Sequence, residues 1–130
     1  MADSDAHRKG QELRRQLMGE AHADRLDQTL LSDPVMKKFT DLVAETVWGT
    51  LWTRPGLDLK TRALVTVVAV ATTGRTGPLA VMLRVARGQG WTEDELVEAL
   101  LHLSGYVGVP VVREALLTAK EVFAEVRAGR

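Results

Sequence analysis

The segment Trp48-Gly-Thr-Leu-Trp-Thr-Arg-Pro-Gly-Leu-Asp58 holds two of the chain's three tryptophans and stops on a Pro-Gly pair. Proline cannot continue a helix and glycine weakens one, so Pro55-Gly56 forces a break between the apolar stretches on either side. One buried element must end there and the next begin. Indoles beside a guanidinium at a rigid corner suit a pocket for a small, anionic, unsaturated molecule; a packing corner is the plainer alternative.

Similar punctuation divides the rest of the chain. A first helix is predicted over residues 6–18, with Leu13 and Leu17 at helical spacing, ending at Gly19. Residues 20–32 are polar and loop-like. Asp33-Pro34 is a helix start, Asp as N-cap and Pro in the first turn, and that helix runs to about Trp52. Asp58 caps a segment over residues 59–73. Its core, residues 64–71, is rich in β-branched side chains, but apolar character sustained without alternation favours a helix over a strand. Pro78 opens another helix, closed by Gly88 and Gly90. Thr92 and Glu95 form a capping box before a helix with Leu96, Ala99, Leu100, Leu103 and Val107 on one face. Gly108-Val-Pro110 interrupts the chain, and a last helix reaches about Ala128. The expected fold class is all-α, a compact bundle of five to six helices.

With 130 residues, the chain is expected to form a single domain with one core. Seventeen basic residues balance seventeen acidic ones, which argues against a nucleic-acid or membrane footprint. Cysteine is absent, so disulfides and thiol chemistry are excluded. The start, residues 1–10, is polar, and the longest apolar run, residues 63–71, falls short of the roughly 20 residues of a membrane span. A cytoplasmic location is the expectation.

Angular positions sharpen the tryptophan helix. At about 100° per residue, Phe39, Val43, Val47 and Thr50 share a face that reads as the core stripe. Asp41, Glu45, Trp48, Gly49 and Trp52 lie opposite. A helix with two such faces is either central to the fold or covered by another subunit. On the pocket reading, Trp48 and Trp52 hold an unsaturated ligand and Glu45 moves a proton. Arg54 and Arg84 are the guanidiniums placed to hold a carboxylate. Among the histidines, His22 lies in the polar stretch, and His102 shares a face with Glu98 and Tyr106, either as a proton relay or as a solvated row. No His/Asp/Glu cluster has metal-ligand spacing, and phosphate-loop and hydrolase-elbow motifs are missing from the sequence.

These residues resemble a known family. The 48–58 corner, Lys60-Thr-Arg62, Gly74-Arg75, Gly90-x-Thr-x-Asp-Glu95 and Gly105-Tyr-x-Gly-Val-Pro110 are similar to 4-carboxymuconolactone decarboxylases, within the alkylhydroperoxidase-D-like superfamily. Gly19-Glu-Ala-His-Ala-Asp-Arg25 matches the same group, and the likeness runs from about Gly10 to Glu125. It implies one carboxymuconolactone decarboxylase-like domain over residues 1–130, with residues 1–32 as N-terminal helix and polar arm. It further implies an all-α homo-oligomer, trimer or hexamer, working without a cofactor or metal.

The departures are specific. Where peroxidase relatives carry Cys-x-x-Cys-x-x-x-His, this chain has Arg75, Pro78 and Met82, so it is not a thiol peroxidase. Decarboxylases read Leu-Arg-Leu-His-Val-Arg where this chain reads Leu79-Ala-Val-Met-Leu-Arg84, keeping Arg84 and replacing an arginine by Ala80 and a histidine by Met82. The resemblance thus implies that Met82 and Tyr106 join Trp48, Trp52, Arg54 and Arg84 as substrate-binding residues, with Glu45, His22 and His102 as candidate acid–base groups. The expected activity is proton transfer with decarboxylation, isomerisation or cyclisation of a small unsaturated lactone or polyketide-like substrate in secondary metabolism. Retained 4-carboxymuconolactone decarboxylation is one alternative, and a non-catalytic binding or scaffold protein is another.

Overall fold

Short polar side chains start several of the helices. In the computed structural model, which describes residues 4–130 and leaves Met1–Asp3 of the polar start outside, the Ser4 hydroxyl accepts the His7 N–H at 3.0 Å and opens α1 (Asp5–Met18). Gly19 ends α1, and α2 (Glu20–Leu30) follows at once. Asp33 accepts the N–H groups of Val35 and Met36 at 2.8 and 3.1 Å, starting α3 (Pro34–Val43). The chain then continues as a π-helical segment (Ala44–Leu51), whose hydrogen bonds reach back five residues. Trp52 donates its N–H to the Val47 carbonyl at 2.9 Å in this way.

Past the Pro55-Gly56 turn, Asp58 accepts the Thr61 N–H at 2.7 Å and starts α4 (Leu59–Ala71). The β-branched run is helical, as its length requires. α5 (Thr76–Gly88) begins two residues before Pro78, so the proline sits inside its first turn rather than opening it. α6 (Glu93–His102) carries the full capping box between Thr92 and Glu95. A 3-10 turn (Leu103–Gly105) leads to α7 (Val109–Arg127). The fold is all-α, and the described residues contain seven α-helices.

The additional helix is α2, which corrects the loop-like reading of residues 20–32. Its carboxylates meet arginines of α1: Arg15 donates to Glu20 at 2.9 Å, to Asp27 at 3.0 Å and to Asp24, while Arg14 donates to Asp27. Only Ala23 of α2 is buried. Charge pairing across to α1, not an apolar stripe, accompanies this helix, and a polar sequence hides that.

The chain divides into two compact units, the first reaching Leu57 and the second spanning Asp58–Arg130. In the first, α1 packs most extensively on the π segment. The two backbones nearly touch: a Cβ on Gly10 would stand 1.8 Å from the Ala44 carbonyl oxygen, and one on Gly49 would stand 1.9 Å from that of Ala6. Glycine at both positions is what permits the approach.

In the second unit α5 packs on α4 and α7, and α6 packs on α7. Ala63, Val67 and Ala71 are the buried stripe of α4, and Leu79, Leu83, Val85, Leu96 and Leu100 are fully or almost fully buried. Trp91 anchors the start of α4, donating its indole N–H to the Lys60 carbonyl at 2.6 Å beneath the Lys60 ammonium, 4.6 Å from the ring centroid. No helix among the described residues is long and apolar enough to cross a membrane.

Candidate functional site

The π segment presents the candidate residues of the first unit, and it reverses one expectation. Phe39 is 59 % exposed and Thr50 is exposed, while Val43 and Val47 are half-buried, so the predicted core stripe is the outer side of the helix. The buried row is Thr40, Ala44, Trp48 and Trp52. At 100° per residue Trp48 already lies opposite Phe39; burial falls on the face that α1 covers and not on the one richer in aliphatic residues. The face bearing the indoles and Gly49 is the one that α1 meets, which makes this helix central to its unit.

Trp48 and Trp52 stack with ring centroids 5.1 Å apart and planes tilted by 33°. Both are buried. The Glu45 side chain begins one turn before Trp48; its Oε2 is sealed from solvent and has no hydrogen-bond partner. A buried acceptor left without a donor costs on the order of 1–3 kcal/mol, so such an oxygen needs a reason. The Thr50 hydroxyl donates to the Glu45 carbonyl at 2.8 Å, and that of Thr53 to the Gly49 carbonyl at 2.8 Å, giving carbonyls of the π segment side-chain partners. Arg54 is exposed on the turn that follows Trp52. His22 is half-buried on α2 rather than in a loop, with its Nδ1 3.4 Å from an Arg25 guanidinium nitrogen.

Asp41, on the same helix, hydrogen-bonds Lys37 at 2.8 Å and His7 of α1 at 3.1 Å. The Lys37 hydrogen bond, then the weaker one from His7, hold its carboxyl below the usual range. Asp41 is thus a structural tie between α1 and α3, distinct from Glu45 one turn on.

The second unit holds the remaining candidates. Met82 is buried on α5 beside Leu79, Leu83 and Ala86, as a core residue of that unit. Arg84 is half-buried and engaged: Nη1 donates to the Arg130 carbonyl at 3.0 Å and Nη2 to the Glu125 carboxylate. That partnership answers the charge that a carboxylate ligand would otherwise meet. His102 and Tyr106 have ring centroids 5.3 Å apart, but both are exposed, Tyr106 at 77 %. The 3-10 turn between them ends the helical row, and among the described residues no hydrogen bond links Glu98, His102 and Tyr106. These three form a solvated row in this unit. Among the described residues no group of three or more His, Cys, Asp or Glu could hold a metal ion.

Sequence reasoning missed Arg14. It is 4 % exposed on the buried stripe of α1, between Gly10 and Leu17. It lines a pocket of about 180 Å³ with Met18, Leu26, Leu30, Phe39, Thr40, Val43 and Trp48. The available signal was its position four residues after Gly10 and three before Leu17, which puts an arginine in the middle of an inward row.

This all-α chain with its aromatic corner matches a known class in sequence. The sequence description of the carboxymuconolactone decarboxylase family matches residues 37–121. The chain belongs to the carboxymuconolactone decarboxylase family. It is 36 % identical over 125 residues to 4-carboxymuconolactone decarboxylase of Acinetobacter baylyi, covering 96 % of this chain and 92 % of that protein. It is 30 % identical over 123 residues to nitrosuccinic acid decarboxylase npaB of Metarhizium robertsii, covering 92 % and 85 %. An uncharacterized 15.0 kDa protein of Paracoccus denitrificans is 35 % identical over 80 residues, 60 % of each chain.

Proposed function

We propose that this protein is a cofactor-independent decarboxylase-type enzyme that moves a proton on a small unsaturated acid or lactone, polyketide-like compounds included. The observation that carries the reading is Glu45 Oε2, buried and without a hydrogen-bond partner, on the same π segment as Trp48, whose ring stacks on that of Trp52. In such a reaction the carbon–carbon bond to the carboxylate breaks, carbon dioxide departs, and the bonding pair is delocalised onto an electron-withdrawing neighbour until a proton replaces it. Glu45 is the proton carrier, with His22 and then His102 as the other candidates. The indole faces hold the conjugated system, and Arg54 takes the carboxylate. The two relatives named as decarboxylases support the reaction class; their substrates, 4-carboxymuconolactone and nitrosuccinic acid, are both acids whose carbanion can be delocalised.

Ala80 and Met82 put hydrocarbon where decarboxylases carry arginine and histidine, which favours a substrate less polar than a carboxylated lactone acid. The identity of 36 % along nearly the whole chain favours the second reading, retained 4-carboxymuconolactone decarboxylation. Carbon dioxide release from 4-carboxymuconolactone and from a panel of less polar unsaturated lactones and β-keto acids decides between them. Release from the panel alone supports repurposing, release from the parent compound supports the second reading, and silence throughout supports a non-catalytic binding protein. Trp48→Ala and Arg54→Ala should each lower whichever activity is found; full activity in both would misplace the site.

The same reading includes a homo-oligomer, trimer or hexamer. Val35, Phe39 and Leu42 are large apolar residues exposed along α3, a face another copy could cover. Light scattering on the purified chain tests this, and a monomer would remove it.

A further inference from the structure

Charge, more than apolar packing, fastens α2 over the pocket that Trp48 lines. Leu26 and Leu30, both half-buried, form one wall of that cavity of about 180 Å³. Ala23 is the single buried residue of α2. α1 and α3 each pack on α2 far less than α1 packs on the π segment. So small an apolar seal contributes little, and the polar ties decide how firmly α2 closes.

Those ties run to two neighbouring arginines of α1. Arg15 bridges Glu20, Asp24 and Asp27, and Arg14 holds Asp27. Glu20 and Asp24 are exposed, so their pairs with Arg15 are individually weak and are screened by salt. The Arg14–Asp27 pair lies deeper and is screened less. Joints are present at both ends of the helix. Gly19 alone separates α1 from α2, at φ 87° and with open space where a Cβ would stand. The exposed Ser32 and Asp33 follow the other end.

Volume gives α2 a reason to move. Sites that hold drug-sized ligands measure roughly 300–1,000 Å³, so a cavity this small takes no substituted ring until its wall shifts. We propose that α2 is a salt-sensitive lid over Trp48, pivoting between Gly19 and the Ser32–Asp33 turn as Arg15 releases Glu20 and Asp24, with Arg14–Asp27 as the inner latch. Its link to substrate entry rests on the reading of Trp48 as a substrate-binding residue; the motion itself does not.

Hydrogen exchange of the full chain, followed by nuclear magnetic resonance, tests the lid without any substrate. Raising sodium chloride from about 0.01 M to about 1 M shortens the screening length from roughly 30 to 3 Å. Exchange of the Leu26 and Asp27 amides and of the Trp48 indole N–H should then speed up several-fold. The Val67 amide of α4 and the Trp91 indole N–H, which donates to the Lys60 carbonyl, should keep their rates. Glu20→Gln combined with Asp24→Asn should give roughly tenfold faster α2 exchange at low salt and remove most of the salt response. The salt series on the unaltered protein needs no variant, so a failure of the double variant to fold leaves the test intact. α2 rates indifferent to salt would overturn the ionic fastening, and α2 amides as slow as Val67 would overturn the lid. A Trp48 indole that stays protected while α2 opens would overturn α2 as its cover. If exchange responds as expected but Trp48→Ala leaves carbon dioxide release untouched, the lid stands and the substrate reading of Trp48 falls.

Discussion

Gly49 lies so close to Ala6 that a Cβ on it would stand 1.9 Å from the Ala6 carbonyl oxygen. That contact is backbone against backbone, so no side-chain rotation relieves it. It aligns α1 with the π segment and thereby fixes the buried direction of Trp48 and the outlook of Glu45.

Gly49→Ala should therefore destabilise the protein by roughly 2–3 kcal/mol, although alanine is the better helix former. Gly88→Ala, where a Cβ meets nothing within 4 Å, should shift stability by less than about 1 kcal/mol, in the stabilising direction. Urea unfolding of both variants checks the contrast. Similar curves for the two would mean that α1 does not pack on the π segment this closely.

The Arg14–Asp27 pair should behave differently from pairs at the surface. Asp27→Asn leaves a buried guanidinium short of its counterion and should cost roughly 2–3 kcal/mol, less than for a sealed pair because the Asp27 side chain is 22 % exposed. Glu12→Ala removes an exposed partner 3.9 Å from Arg8 and should cost under about 0.5 kcal/mol. Thermal unfolding separates these outcomes, and an equal effect of both changes would contradict the burial of Arg14.

Acid should loosen α1 through Asp41. Its carboxyl is held below the usual range in the folded state, by Lys37 first and His7 second. A depressed folded value means that the contribution is fully present above the unfolded carboxylate pKa and is lost as pH falls through the folded one. Asp41→Asn should thus melt below the wild type at neutral pH, and the gap should close below roughly pH 4. Asp58 and Glu95, lowered by their hydrogen bonds from Thr61 and Thr92, add to the acid slope of both proteins alike. A gap that stays constant through that range would contradict the tie.

The helix boundaries are legible in the sequence because their causes are local. Asp33, Asp58 and the Thr92–Glu95 box each act on N–H groups within three residues, and Gly19 and Pro55-Gly56 end the elements before them. The hidden features depend on distant partners. α2 looks like a loop because its acids pair with Arg14 and Arg15 of another helix. The buried side of the tryptophan helix escapes the sequence because Phe39, Val43 and Val47 look like a core stripe, whereas the close approach of α1 at Gly49 buries the opposite row. Glu45 and the two indoles stand out from composition and spacing, whereas Arg14 looks like one more solvated charge.

The central claim is that Glu45 is held inward for proton transfer and not for packing. Its most direct test compares the wild type with Glu45→Gln for carbon dioxide release from 4-carboxymuconolactone and the lactone and keto-acid panel, with thermal unfolding run alongside. The account predicts a rate roughly 10²–10⁴-fold lower with an unchanged unfolding midpoint. A variant as active as the wild type, or one that loses activity only because it unfolds, would contradict it.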